Sequence, residues 1–139
     1  MSVLLDTGFL VAFLDKDDEH HAAAYALMDR IQAKEFGAPF VTDLVVAELF
    51  SLLRARRRGA RWEQAARRLL PMPSPELRGL TVVSLGVSGL ERTWEAFERY
   101  RDKGISFTDA SLIVTLGELR IDAIATFDEG LGRIAPVAS

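Results

Sequence analysis

Apolar positions along the chain follow two rhythms. Four short continuous runs, Val3-Leu4-Leu5, Phe40-Val41-Thr42, Leu80-Thr81-Val82-Val83 and Ala123-Ile124-Ala125-Thr126, carry β-branched or aliphatic residues and predict short buried strands. Longer segments between them predict helices: Thr7–Leu14, about His20 to Ala33, Asp43 to about Arg58, and Arg61–Leu70. Asp43 is expected to cap the third of these and Gly59 to stop it. Ser88 with Glu91 three residues on reads as a capping box, Val87 before it as a hydrophobic staple, and the helix they open runs to about Lys103. Asp109–Leu119 is a further helix, with Leu112, Ile113 and Leu116 at helical spacing, and a brief segment ends the chain. Strands that alternate with helices predict an α/β fold, a parallel sheet sandwiched by helices. Ligands in such folds bind in the crevice beyond the carboxyl ends of the strands.

Size and composition narrow this picture. The 139 residues suit a single domain spanning 1–139, and 49% hydrophobic with 27% charged residues is ordinary globular usage. The Pro-rich stretch Pro71–Pro75 reads as a loop within that domain. Absence of cysteine excludes thiol catalysis and thiolate zinc, and fits a reducing cytoplasm. The N-terminus lacks the basic stretch of a signal peptide, and no apolar run approaches the roughly 18 residues of a membrane span, so no membrane association is expected. The formal charge of −3 argues weakly against a nucleic-acid partner, yet seven arginines between Arg54 and Arg68 form a local positive field.

Four acids stand at positions that matter in an α/β fold, and each has a structural explanation. Asp6 follows the first strand as a helix N-cap would, and Asp128 follows the last, near Gly130, as a turn or cap residue would. Asp109 sits in a helical first turn that favours negative charge, with Thr108 or Ser106 as the actual cap. Glu48 is the odd one, flanked at helical spacing by Leu44, Val45, Ser51 and Leu52. A carboxylate turned inward there shifts its pKa or finds a cation. Together, a crevice at the strand ends is expected to gather all four. Such an oxygen-only set suits Mg²⁺ or Mn²⁺, and one or two such ions activate a water and stabilise both oxygens in phosphodiester cleavage. Setting these four carboxylates aside leaves the remainder of the protein at +1.

The residues around the acids resemble a known family. Val3-Leu-Leu-Asp6-Thr7 with Leu10 downstream resembles the opening of PIN domains, in particular the VapC-type toxins of bacterial toxin–antitoxin pairs. Thr42-Asp-Leu-Val-Val-Ala-Glu48-Leu, Phe107-Thr-Asp109-Ala-Ser-Leu-Ile and Ala125-Thr126-Phe127-Asp128-Glu-Gly-Leu131 resemble its later motifs, in order, so that the likeness covers nearly the whole chain. The resemblance implies a three-layer α/β/α sandwich with a mainly parallel sheet and a Mg²⁺- or Mn²⁺-dependent endoribonuclease. It carries over Asp6, Glu48, Asp109 and Asp128 as metal-binding acids and Thr126 as a residue that orients the site. A strand-ending β-branched residue is an equally good account of Thr126. The family further implies homodimers and a small antitoxin whose C-terminal segment covers the active site.

Other residues take structural readings. His20 and His21 read as a solvated helix start beside Asp17, Asp18 and Glu19, and Ser106 and Ser111 have no histidine partner for nucleophilic catalysis. Gly86, Gly89 and Gly104 match no phosphate-binding loop. Trp94, Phe97 and Tyr100 lie at helical spacing and read as core or dimer contacts. Arg54, Arg57, Arg58 and Arg61 are candidate RNA-backbone contacts, with a solvated helix face or an acidic antitoxin as the other uses of the cluster. The expectation is hydrolysis of RNA phosphodiesters. Its rivals are a catalytically inactive PIN-like nucleic-acid or protein binding module and another Mg²⁺-dependent phosphotransfer enzyme. Asp6-Thr7-Gly8 lacks the second Asp of an Asp-x-Asp opening, which ranks the last of these lowest.

Overall fold

A computed structural model describes residues 1–56, 60–69 and 80–139. The elements run β1 (Ser2–Leu5), α1 (Thr7–Leu14), α2 (His21–Gln32), β2 (Ala38–Thr42), α3 (Asp43–Ala55), α4 (Ala60–Leu69), β3 (Thr81–Val83), α5 (Gly86–Arg99), a 3₁₀ turn (Arg101–Lys103), α6 (Phe107–Leu119), β4 (Ala123–Ala125) and α7 (Glu129–Gly132). The expected loop at Pro71–Pro75 and the stop at Gly59 lie outside the described residues.

The strands form one sheet in the order β3-β2-β1-β4, and every pairing is parallel. Helices cover it in a three-layer α/β/α sandwich. Val3, Leu4 and Leu5 are fully buried, which explains why β1 is an unbroken apolar run rather than an alternating one: both faces of a covered parallel sheet are core. Each large aliphatic side chain buried this way contributes roughly 1.5–3 kcal/mol. Phe9, Leu10, Leu49, Leu53, Leu112 and Ile124 extend the same core from the helices and β4. A smaller cluster of Ala96, Ile105 and Ala110 joins α5 to α6, with Phe97 and Tyr100 packed against it as expected. Trp94 is 55% exposed, so it is not a core residue.

The strand order places a topological switch beside β1. The chain winds from β1 through β2 to β3 on one side, then crosses back to lay β4 on the other. A crevice opens at such a point, beyond the carboxyl ends of the adjacent strands β1 and β4. Asp6 leaves β1 there, and Thr126 to Asp128 leave β4. At the opposite end, Gly37 has φ +76°, and a Cβ on it would lie 1.7 Å from the Met1 carbonyl oxygen, so only glycine fits the turn into β2.

Two helix starts differ from the sequence reading. Thr42, not Asp43, caps α3: its backbone is extended and its hydroxyl accepts the Val45 amide at 3.2 Å, while the Asp43 carboxylate accepts the Leu85 amide at 3.3 Å. That same bond anchors the start of α5, which begins at Gly86 without a side-chain cap, so Ser88 and Glu91 fall inside the helix and form no capping box. Among the described residues no helix is long and apolar enough to cross a membrane.

Candidate active site

Asp6 is the N-cap of α1, and its Oδ1 accepts the Phe9 amide at 2.7 Å. Its other oxygen, Oδ2, accepts a short hydrogen bond from the Thr126 hydroxyl, and Thr126 Oγ1 in turn accepts the Asp128 amide at 3.0 Å. Asp128 caps α7 by accepting the Leu131 amide at 2.9 Å. One hydroxyl at the end of β4 thus ties together the two acids that follow the neighbouring strands β1 and β4. Ser106 caps α6 in a full capping box: its hydroxyl accepts the Asp109 amide, and Asp109 Oδ2 accepts the Ser106 amide, both at 3.0 Å. Thr108 is released from capping and donates to Glu48 Oε2 at 2.8 Å, orienting a carboxylate that α3 presents from the other side.

Asp6, Glu48, Asp109 and Asp128 line one cleft of about 450 Å³, together with Gly8, Asp18, His20, Arg56 and Phe127. Two of the four acids are N-caps and a third, Asp109, completes a capping box from the first turn of α6, so the structural explanation for each of the three was correct as far as it went. A carboxylate has two oxygens. In Asp109 and Asp128 one serves the helix and the other remains for the cleft, Asp109 Oδ1 and Asp128 Oδ2 having no hydrogen bond among the described residues, whereas the second oxygen of Asp6 accepts from Thr126. Thr7, also on the cleft wall, has a buried Oγ1 with no partner among the described residues.

The charges are mutually repulsive. Asp6 is 4% exposed, and burial pushes its pKa up to about 6, with further raising by Asp109 and Asp128; the bonds from Thr126 and the Phe9 amide oppose this. Burial likewise raises Asp109, and the Asp128 and Glu48 charges add to it, against the Ser106 bonds. Arg56 is the one Arg or Lys among the described lining residues, and it is already held by Asp15 at 2.7 Å and Asp18 at 3.3 Å.

All-oxygen donors without a compensating cation are the chemistry of a hard divalent ion. Among the described residues, no three His, Cys, Asp or Glu side chains are grouped so that together they could hold a metal ion. Magnesium commonly binds through one or two carboxylates and keeps several waters, so an open cleft with carboxylate oxygens to spare fits such an ion.

The structure thus gathers the four acids and Thr126. Of the arginines read as RNA contacts, Arg54 and Arg61 do not line this cleft. Arg54 donates to Glu63 at 3.1 and 2.5 Å and lines a separate groove between α3 and α4, and Arg61 is exposed on α4. Arg57 and Arg58 lie outside the described residues. The arginine that reaches the cleft is Arg56, which helical phase separates from Arg54 by about half a turn. Sequence reading also passed over Thr108 and His20. His20 is not a merely solvated helix start but a cleft residue stacked on Phe127.

A family model described as PIN domain matches residues 3–136, and the chain belongs to the PIN-domain family. It is 30% identical over 126 residues to Ribonuclease VapC26 of Mycobacterium tuberculosis, covering 91% of this chain and 86% of that protein. In structure it is similar to the Mycobacterium tuberculosis toxin VapC20, which cleaves the sarcin–ricin loop, with a TM-score of 0.79, 23% identity and coverage of 95% and 94%. It is also similar to VapBC2 from Rickettsia felis bound to a DNA fragment from its promoter, with a TM-score of 0.67, 16% identity and coverage of 98% and 94%. These two likenesses are of fold.

Proposed function

We propose that this protein is a metal-dependent endoribonuclease that hydrolyses RNA phosphodiester bonds and acts as the toxin of a toxin–antitoxin pair. The observation that carries the reading is the convergence of four carboxylates, from the end of β1, α3, α6 and the end of β4, in one cleft where the one arginine among the described lining residues is already paired. The similarity to Ribonuclease VapC26 supports RNA as the substrate.

Asp6, Glu48, Asp109 and Asp128 would hold Mg²⁺ or Mn²⁺. A bound ion of this kind supplies a nucleophile at neutral pH and neutralises charge on the phosphate. The chain's own part is positional. Thr126 fixes Asp6 and, through the Asp128 amide, the end of β4. Thr108 fixes Glu48 through one oxygen, and Ser106 fixes Asp109 through its capping box. Each acid is therefore immobilised before substrate arrives, which lowers the cost of ordering the reacting groups. No histidine general base is needed.

A small antitoxin and a homodimer belong to the same proposal. The relative from Rickettsia felis is a VapBC pair, and the exposed Val87, Leu90 and Trp94 of α5 offer apolar area for a protein contact. With RNA as substrate, the expected place of action is the cytoplasm, where the absence of cysteines is at home.

Cleavage of defined RNAs with Mg²⁺ or Mn²⁺ tests the reading. Asp6→Asn should abolish cleavage and keep the fold by circular dichroism. Undiminished cleavage by that variant would sink the assignment, and RNA that is bound but never cut by the native protein would favour the inactive binding module.

A further inference from the structure

The cleft holds a row of rings as well as its acids. Phe9, fully buried in α1, lies 6.0 Å from Phe127 between ring centroids, tilted by 32°. The His20 imidazole stacks on Phe127 at 4.5 Å between centroids, its plane nearly parallel at 8°. The row starts in the core and ends on the cleft wall, where the His20 side chain is 45% exposed. Its outer ring is held in place: Asp18 Oδ1 accepts the His20 amide at 2.9 Å, while Asp18 Oδ2 accepts from Arg56 at 3.3 Å. Glu19 sits 3.4 Å from the imidazole Nε2, at the ring's edge rather than as a third ring in the stack.

The position in the chain gives this stack its meaning. Phe127 lies between Thr126 and Asp128, so the rings adjoin the acids directly. The cleft is also poorly equipped to attract a polyanion by charge, because its described lining carries five carboxylates and one arginine, itself bound to Asp15 and Asp18. Affinity for a nucleic acid beside the acids must come from something other than counter-charge. Every nucleobase has a π face, and stacking on an aromatic ring holds it without regard to sequence.

We propose that His20 and Phe127 form a stacking platform for one nucleobase of the RNA, next to the scissile phosphodiester. This rests on the ribonuclease reading and deepens it. The platform positions the nucleotide, and the acids carry the chemistry.

The test is steady-state cleavage of a short single-stranded RNA by the full chain with Mg²⁺ or Mn²⁺. Native protein, His20→Ala and His20→Tyr are compared on intact RNA and on RNAs with an abasic residue at each position flanking the cut. His20→Ala should raise KM by roughly tenfold with little change in kcat, and His20→Tyr should restore it. At one flanking position the abasic RNA should abolish the difference between native protein and His20→Ala. An unchanged KM in His20→Ala, as expected if the ring serves a protein partner instead, overturns the platform. So does a KM defect that persists on every abasic RNA. RNA cleaved indifferently to the ring removes only the platform, whereas RNA left uncut by the native protein removes the ribonuclease reading and the platform with it.

Discussion

The acidic cleft and the arginine-rich end of α3 hold charge in opposite ways. The arginines are crowded in sequence, and those whose bonds are clear are neutralised locally, Arg54 by Glu63 across to α4, and Arg56 by Asp15 and Asp18. The acids are scattered across more than 120 residues of sequence and meet without a counter-charge, so that Asp6 and Asp109 resist ionisation. A dense run of like charge can thus be paired off in part by acids on neighbouring segments, as at Arg54 and Arg56. Uncompensated charge assembled from distant elements lowers stability, and on the proposed reading a metal and the substrate complete it.

The contrast can be broken at several points. The largest effect is expected on catalysis, where Asp6→Asn or Asp109→Asn should remove RNA cleavage altogether, while Arg54→Ala should leave the rate within about twofold. Equal losses in both would erase the distinction between the two regions.

Next in size is a stability effect at Asp6. Its folded pKa of about 6 lies above its ordinary 3.8, so the native state binds the proton more tightly than the unfolded chain. Native stability therefore falls as pH rises from about 4 to about 6 and stays lower above that, by up to about 3 kcal/mol. Metal-free Asp6→Asn should then be more stable than the native protein at pH 7.5, and the advantage should vanish near pH 4. Thermal melts at both pH values check this; a destabilised variant at pH 7.5 would mean the carboxylate is compensated after all.

Thr126→Val keeps the β-branched shape and removes the hydroxyl that bonds Asp6 and accepts from Asp128. Outer partners of metal ligands typically contribute 10- to 100-fold, and a loss of that size in cleavage or metal affinity is expected. A loss below about twofold would support the strand-end account of Thr126. The smallest effect belongs to Arg54→Ala, which breaks an exposed pair and should cost less than about 1 kcal/mol in urea melts.

Much of this organisation is legible in the sequence. The four strand runs and most helix spans follow from periodicity alone, since strands buried on both faces leave continuous apolar runs. The acids are legible as a set through their motifs, but cap and site are not rival explanations: Asp6 and Asp128 each cap a helix and face the cleft with the same group. The start of α5 was illegible because a tertiary bond from Leu85 to Asp43 sets it, not Ser88. His20 was illegible for a similar reason. Only its ring contact with Phe127, far along the chain, brings it to the cleft. Arg56 was missed because neighbouring arginines on one helix look alike until the helical phase is fixed.

The central claim, that the cleft's charge is left open for a divalent ion, is tested most directly by the thermal midpoint with and without Mn²⁺ at pH 7.5. The account predicts that the native protein gains stability, by about 2.7 kcal/mol when the free ion is a hundredfold above its Kd, and that EDTA reverses the gain. Asp6→Asn and Asp109→Asn should lose most of that response. A native midpoint indifferent to Mn²⁺ and Mg²⁺, or the same gain in those variants, would contradict it.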